Sequence, residues 1–385
     1  MEENRIHHLL KPLTSLLKIF SMLPLSSGRS NPRHFLSYLY SLSVFILLLA
    51  NFTLSYITME TGSASSLSLL IRYLISGLSV IFVLVTLYKA HTNQTLFQEV
   101  IEEVIDLSQR NMRSNRNVVF YRPNYRHLNA KIQFCCFTYL LVMFISFEIL
   151  HSFLPNLTLF AVLNFLVPNL YSLLLSVEFY LLLNFVQNRL EKMYQYFQNF
   201  NQDSLLITDN WYYLSKISRD NVKSELVFLL KTFYSIFNIC AKINTMFSAQ
   251  ILLVIILTHV LLTCIAYVMT QAIITYLTDA AATLQYNVMY TNLYWFGFHW
   301  VMIVLIVVPC ENINTLKRNI MKTVHQIIIE DKMPNLTLEL EMFLMDLEKY
   351  NIQFTAHGFF SLEYSLFRKI IGAVATYWIL LIQFQ

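Results

Sequence analysis

The sequence predicts an all-α membrane protein of seven transmembrane helices, with a cytoplasmic N-terminus, an extracellular C-terminus and cytoplasmic helical extensions. Three observations carry this reading. Of the 385 residues, 56% are hydrophobic and only 13% charged, far from the balance of a soluble domain. Seven long apolar stretches occur, at roughly residues 35–57, 67–88, 133–154, 160–184, 246–275, 288–309 and 370–384. Finally, 26 of the 27 Lys and Arg residues fall in four of the eight segments between and beyond those stretches, alternating with segments that hold none.

That alternation sets the orientation, because basic residues mark the cytoplasmic side. The N-terminal segment, 1–34, carries Arg5, Lys11, Lys18, Arg29 and Arg33. Basic residues recur in the loops 89–132 and 185–245 and in the segment 310–369, leaving only Arg72 near the start of the second span. Residues 35–309 thus form a six-helix membrane region with two long inner loops, 310–369 a cytoplasmic helical segment and 370–385 the last helix. A bilayer core of about 30 Å needs about 20 apolar residues per helix. Six stretches reach that length, whereas the seventh is shorter and suits a place inside a bundle or beside water. No cleavable leader is expected, the first span acting as the targeting signal.

The inner segments keep helical spacing. Phe97, Val100, Ile101, Val104 and Ile105 recur at i, i+3, i+4, i+7 and i+8, with acidic residues between them. Ile313, Leu316, Ile320, Val324, Ile327 and Ile328 repeat the pattern, and Leu340, Phe343, Leu344 and Leu347 form a further helix. Each stripe must pack on something. Extensions of the membrane helices gathered into a cytoplasmic bundle meet that need, and helices lying on the membrane surface are the other solution.

Enzyme chemistry is not expected. There is no P-loop, no HExxH, no Gly-x-Ser-x-Gly and no cysteine pair at zinc spacing. No metal or cofactor is expected, and the net charge of +4 belongs to the inner basic residues, so no nucleic-acid partner is needed. None of the five cysteines lies in an outer loop, which leaves no extracellular disulfide to form. Asn156-Leu157-Thr158 is the candidate glycosylation sequon, although its short loop holds it close to the bilayer.

The last helix closes on Thr376-Tyr377-Trp378-Ile379-Leu380-Leu381-Ile382-Gln383-Phe384. A Thr-Tyr pair, five apolar residues and Gln-Phe make up this run. It resembles the TYhhhhhQF signature of insect gustatory receptors, and Phe354-Thr355-Ala356-His357-Gly358-Phe359-Phe360 through Arg368 resembles that family's approach to its last span. The resemblance implies a ligand-gated cation channel in the plasma membrane, with four subunits each contributing the last helix to a central pore. Tyr377 is then the signature residue, and the gate lies near Gln383 and Phe384. The residues support a pore by themselves: Thr376, Leu380 and Gln383 share one helical face, with Ile379 beside them. A polar–apolar–polar face suits a water-lined surface with one hydrophobic constriction, although hydrogen bonds between helices would also use Thr and Gln. Leu381 is expected to face lipid.

A ligand pocket is expected in the outer half of the bundle, where Tyr294, Trp295 and His299 of the sixth span face Tyr267 and Thr263 of the fifth, with Glu148 near the outer end of the third. Tyr and Trp also serve merely as interface anchors. Glu178 lies deeper and should face the bundle interior with a partner. The function expected is a gustatory receptor opened by a small-molecule tastant, passing cations without selectivity, as a homotetramer or a heteromer with other gustatory receptors. Sugar-sensing members of the family often carry an acidic residue after the Thr-Tyr pair, where this chain has Trp378. That tilts the ligand toward bitter or other tastants. A seven-helix receptor signalling through cytoplasmic partners and an odorant-receptor-type channel are the alternatives. A transporter is disfavoured because no internal repeat is visible.

Overall fold

The protein is described by a computed structural model covering residues 66–113, 159–203, 211–278, 282–330, 337–350 and 352–383, with seven further positions between 40 and 53. The predicted span at 133–154, and all but those seven positions of the span at 35–57, lie outside the described residues. In chain order the elements are α1 (Ser66–Thr92), α2 (Gln94–Arg113), α3 (Leu159–Asp203), α4 (Trp211–Thr278), α5 (Ala282–Ile329), α6 (Thr337–Lys349), strands β1 (Thr355–Ala356) and β2 (Phe360–Ser361), and α7 (Ser365–Gln383). The described residues are thus almost wholly helical. Five stretches among them are long and apolar enough to cross a membrane: Tyr73–Thr92, Leu166–Gln198, Leu226–Tyr276, Met289–Ile329 and Ser365–Gln383.

Most helices overrun their apolar spans. The 68 residues of α4 rise about 100 Å at 1.5 Å each, some three times the thickness of a bilayer core. Pro309 sits where the sixth span was expected to end, and there it removes one rung of the hydrogen-bond ladder. The helix nevertheless runs on to Ile329, because Ile313, Ile320, Val324 and Ile327 continue its buried stripe. Leu316 and Ile328 flank that stripe, partly buried. α5 packs most extensively along α3, and Asn312 Nδ2 donates to Gln187 Oε1 at 3.3 Å between them.

α2 is an amphipathic helix laid on α4. It follows α1 after the single residue Asn93, whose amide donates to the Met246 carbonyl of α4 at 3.2 Å. Val100 and Val104 are buried, and Phe97 and Ile101 pack partly against the same core. Lys242 of α4 closes the contact, its ammonium 3.1 Å from Glu99 and 2.8 Å from Glu103. The pairs are half exposed, so they fix register more than they add stability.

α6 folds back on α5 through Leu340, Phe343 and Leu347. The Phe343 ring lies 5.4 Å from that of Phe197 in α3. Beyond α6, the buried Lys317 ammonium donates to the Tyr350 carbonyl at 3.0 Å, so its charge is held by a backbone dipole. The chain then makes a small antiparallel hairpin, Thr355 opposite Ser361 and Ala356 opposite Phe360. Its turn needs two left-handed residues in succession, His357 at φ 50° and Gly358 at φ 79°. Glycine takes that conformation freely and histidine tolerates it. Asn244 Oδ1 of α4 accepts the Thr355 amide at 2.9 Å and pins the hairpin. α7 begins four residues after the hairpin ends.

If the overrunning stripes are a true core, Ile320→Asp, which buries an unpaired carboxylate, is expected to abolish surface expression. Ile320→Val should cost only about 1 kcal/mol and leave expression intact. Surface biotinylation and melting of the purified protein measure both, and normal expression of the Asp variant would mean the extensions are not packed.

Candidate functional site

α7 is held along one side only. Leu366 and Ile370 are buried, and Val374, Trp378 and Leu381 continue the same stripe, partly buried. Of the five apolar stretches α3's is the most enclosed, with 78% of its most apolar part buried, and α7's the least, with 11%. At 100° per residue, Thr376, Leu380 and Gln383 fall roughly opposite the stripe that touches the chain. All three are exposed, as is Ile379. Phe384 lies outside the described residues. Leu381, expected to face lipid, is half-buried and repeats from Ile370 and Val374 by whole turns. The Thr376 hydroxyl donates to the Gly372 carbonyl at 2.9 Å, which meets its own hydrogen-bond need within the helix.

A ring cluster occupies the apolar part of α5. Tyr294 and Trp295 meet at 5.4 Å between centroids, Trp295 and Phe298 at 5.4 Å, and Phe298 and His299 at 5.4 Å. Trp295 also lies 6.3 Å from His299. His299 is 1% exposed, and neither ring nitrogen has a hydrogen-bond partner among the described residues. Thr263 is buried on α4, its hydroxyl donating to the His259 carbonyl at 3.0 Å, and Tyr267 is half-buried one turn further on. Glu178 is buried on α3. Glu148 and Asn156 lie outside the described residues. The structure thus brings Tyr294, Trp295 and His299 into one cluster and adds Phe298, which the sequence reading left out.

A family model described as "7tm Chemosensory receptor" matches residues 10–385. The chain belongs to the 7tm chemosensory receptor family. The receptor's fold is also similar to that of the insect olfactory receptor OR5 from Machilis hrabei, with a TM-score of 0.61 at 11% identity. The same olfactory receptor in complex with eugenol gives 0.59 at 12%. Both comparisons cover 100% of each chain. Comparison with curated proteins gives no match.

Three contacts tie the receptor's last helix to α4 and α5, the helices that carry Thr263, Tyr267 and the ring cluster. The Trp378 indole donates to the Thr270 hydroxyl of α4 at 2.9 Å, while that hydroxyl donates to the Ala266 carbonyl, so Thr270 both accepts and donates. The Tyr377 ring lies 5.8 Å from that of His259, edge to face. At the foot of α7, Phe367 stacks on Trp300 at 6.1 Å and 20°. Trp300 directly follows His299 in the chain. None of Trp300, His259 or Thr270 stood out in the sequence, because each has its partner on a distant element.

The indole–hydroxyl bond is directly testable. Trp378→Phe and Thr270→Val should each lower the melting temperature of the purified receptor. The double variant should fall short of their sum by about 0.5–1.5 kcal/mol, the worth of one hydrogen bond. Strict additivity would mean the two side chains do not interact.

Proposed function

We propose that this receptor is a gustatory receptor that works as a ligand-gated, non-selective cation channel of four subunits, with seven spans, a cytoplasmic N-terminus and α7 lining the pore. One observation carries the reading: the face of α7 turned away from its own chain is the face that bears Thr376, Leu380 and Gln383. Turned to hydrocarbon, the Gln383 amide would lose its hydration without return. Turned to an axis shared with other copies, it meets water, and Leu380 supplies the apolar constriction between two polar positions. Glu178, unlike these, lies inside the bundle and takes no part in the pore.

The tastant binds in the outer bundle beside Tyr294, Trp295 and His299, with Thr263 and Tyr267 on the facing helix and Glu148 at the outer rim. A ligand shifts gating only if it binds open and closed states unequally. The stacked pair Trp300–Phe367 and the pair His259–Tyr377 offer the contacts through which a shift of α5 or α4 reaches α7. An odorant-receptor-type channel is the second reading, favoured by the fold likeness to OR5, and eugenol belongs in the ligand panel for that reason.

Topology and pore are tested separately. A tag at Met1 should be reached by antibody only after permeabilisation, and a tag after Gln385 on intact cells; the reverse labelling would sink the channel reading. Cysteines at 376, 380 and 383 should react with aqueous thiol reagents and block current, whereas cysteine at 374 should not. Leu380→Ser is expected to raise basal current by wetting the constriction, and Gln383→Ala to change conductance with surface expression retained. Unchanged currents together with unreactive cysteines at 380 and 383 would remove α7 from the pore.

A further inference from the structure

We propose that His299 is the hydrogen-bonding anchor of the activating ligand, and that this ligand is a neutral, mostly apolar ring compound bearing one hydroxyl group. The proposal rests on the pocket reading above and adds to it the chemistry of what the pocket takes.

The imidazole is an expensive side chain to place here. It carries one donor and one acceptor whatever its tautomer, and at 1% exposure both are cut off from bulk water with no partner among the described residues. A phenylalanine would pack among the same rings without that cost. Two of its contacts are ring faces or edges, Trp295 at 6.3 Å and Phe298 at 5.4 Å. Along its own helix the next buried residues inward are Met302, Ile303 and Ile306. On α3, counting equal rises outward from the Asn312–Gln187 bond sets Leu174 level with His299, among the buried Tyr171 and Leu175. Thr263, the buried hydroxyl nearest in kind on α4, already gives its proton to the His259 carbonyl.

These surroundings select a ligand. Ring stacking and dispersion favour an aromatic or cycloalkyl body. One hydroxyl answers one of the two ring nitrogens, donating to the bare one or accepting from the protonated one. A hexose brings several hydroxyls to the two His299 nitrogens left open among the described residues, and each surplus group gives up water for nothing. A carboxylate loses its hydration against rings that offer it no cationic partner. The specificity is asymmetric: a site built around a hydrogen bond rejects the analogue that lacks it far more strongly than an apolar wall rejects an extra methyl group.

Binding to the full-length receptor in lipid nanodiscs, read by thermal shift, tests this without any current. The probes are two isosteric pairs, 4-methylphenol against 1,4-dimethylbenzene and cyclohexanol against methylcyclohexane, with glucose and benzoate alongside. The hydroxyl member of each pair should bind at least about tenfold more tightly than its methyl isostere. In His299→Phe that preference should vanish while the hydrocarbons keep their affinity. His299→Leu provides the same comparison if the larger ring disturbs packing. Both proteins share the same lipid partitioning, so the change in ratio is the readout. Equal binding within the pairs, an undiminished hydroxyl preference in both variants, or tighter binding of glucose or benzoate would each overturn the proposal. A merely structural His299 would lower stability in the variants and leave the ratio alone. Loss of ligand-evoked current with binding intact would strike the channel reading instead.

Discussion

An apolar helical stripe that leaves the bilayer must find protein to cover it, and in this receptor it finds α4. Every other described helix packs against that one. α2 lays Val100 and Val104 on it and is locked by Lys242; the hairpin hangs from Asn244; α7 leans on Thr270 and His259. The apolar surfaces of α3 and α5 meet one another and the same post. Remove the continuity of α4 and the region beyond the spans has no common surface on which to assemble. Burial of this kind is worth about 25 cal/mol for each Å² of apolar surface withdrawn from water, and it acts only outside the lipid, where water is the alternative. Inside the bilayer lipid tails compete equally for apolar side chains, so the extensions supply the driving force that the spans lack.

Polar groups within the apolar stretches divide into two sorts. Ser172, Ser176, Thr86, Thr263, Thr270 and Thr275 each donate to the carbonyl one turn back on their own helix. Such hydroxyls are self-sufficient and cost the fold little. An imidazole or a carboxamide has no equivalent local solution, because its polar atoms stand too far from its own backbone. His299 and Gln383 belong to this second sort, one inside the bundle and the other on the outward face of α7. His299 is buried without a hydrogen-bond partner among the described residues, whereas Gln383 is exposed.

Local periodicity made part of this structure legible. Val100 with Val104, the run from Ile313 to Ile327, and Leu340 with Phe343 and Leu347 are all buried, as their spacing implies. The same arithmetic placed Thr376, Leu380 and Gln383 on one face. It could not say which way that face turns. The deciding contacts, Trp378 with Thr270 and Tyr377 with His259, join residues more than a hundred positions apart and leave no local trace. The hairpin escaped for a different reason. Two-residue strands are too short for alternation to register, and only His357-Gly358 between apolar residues signalled a turn. The full length of α4 was hidden too, since residues 211–225 mix polar and apolar types without a sustained stripe.

An unbroken helix of this length is also a mechanical element. Trp211–Thr278 holds no proline, the commonest cause of a sharp kink, so no such joint interrupts it. For a rod of about 100 Å pivoting at its middle, a tilt of about 5° moves each tip by about 4 Å, close to the rise of one helical turn. α4 therefore joins its two ends in one continuous element, and a tilt of it is felt by each of the helices packed along its length.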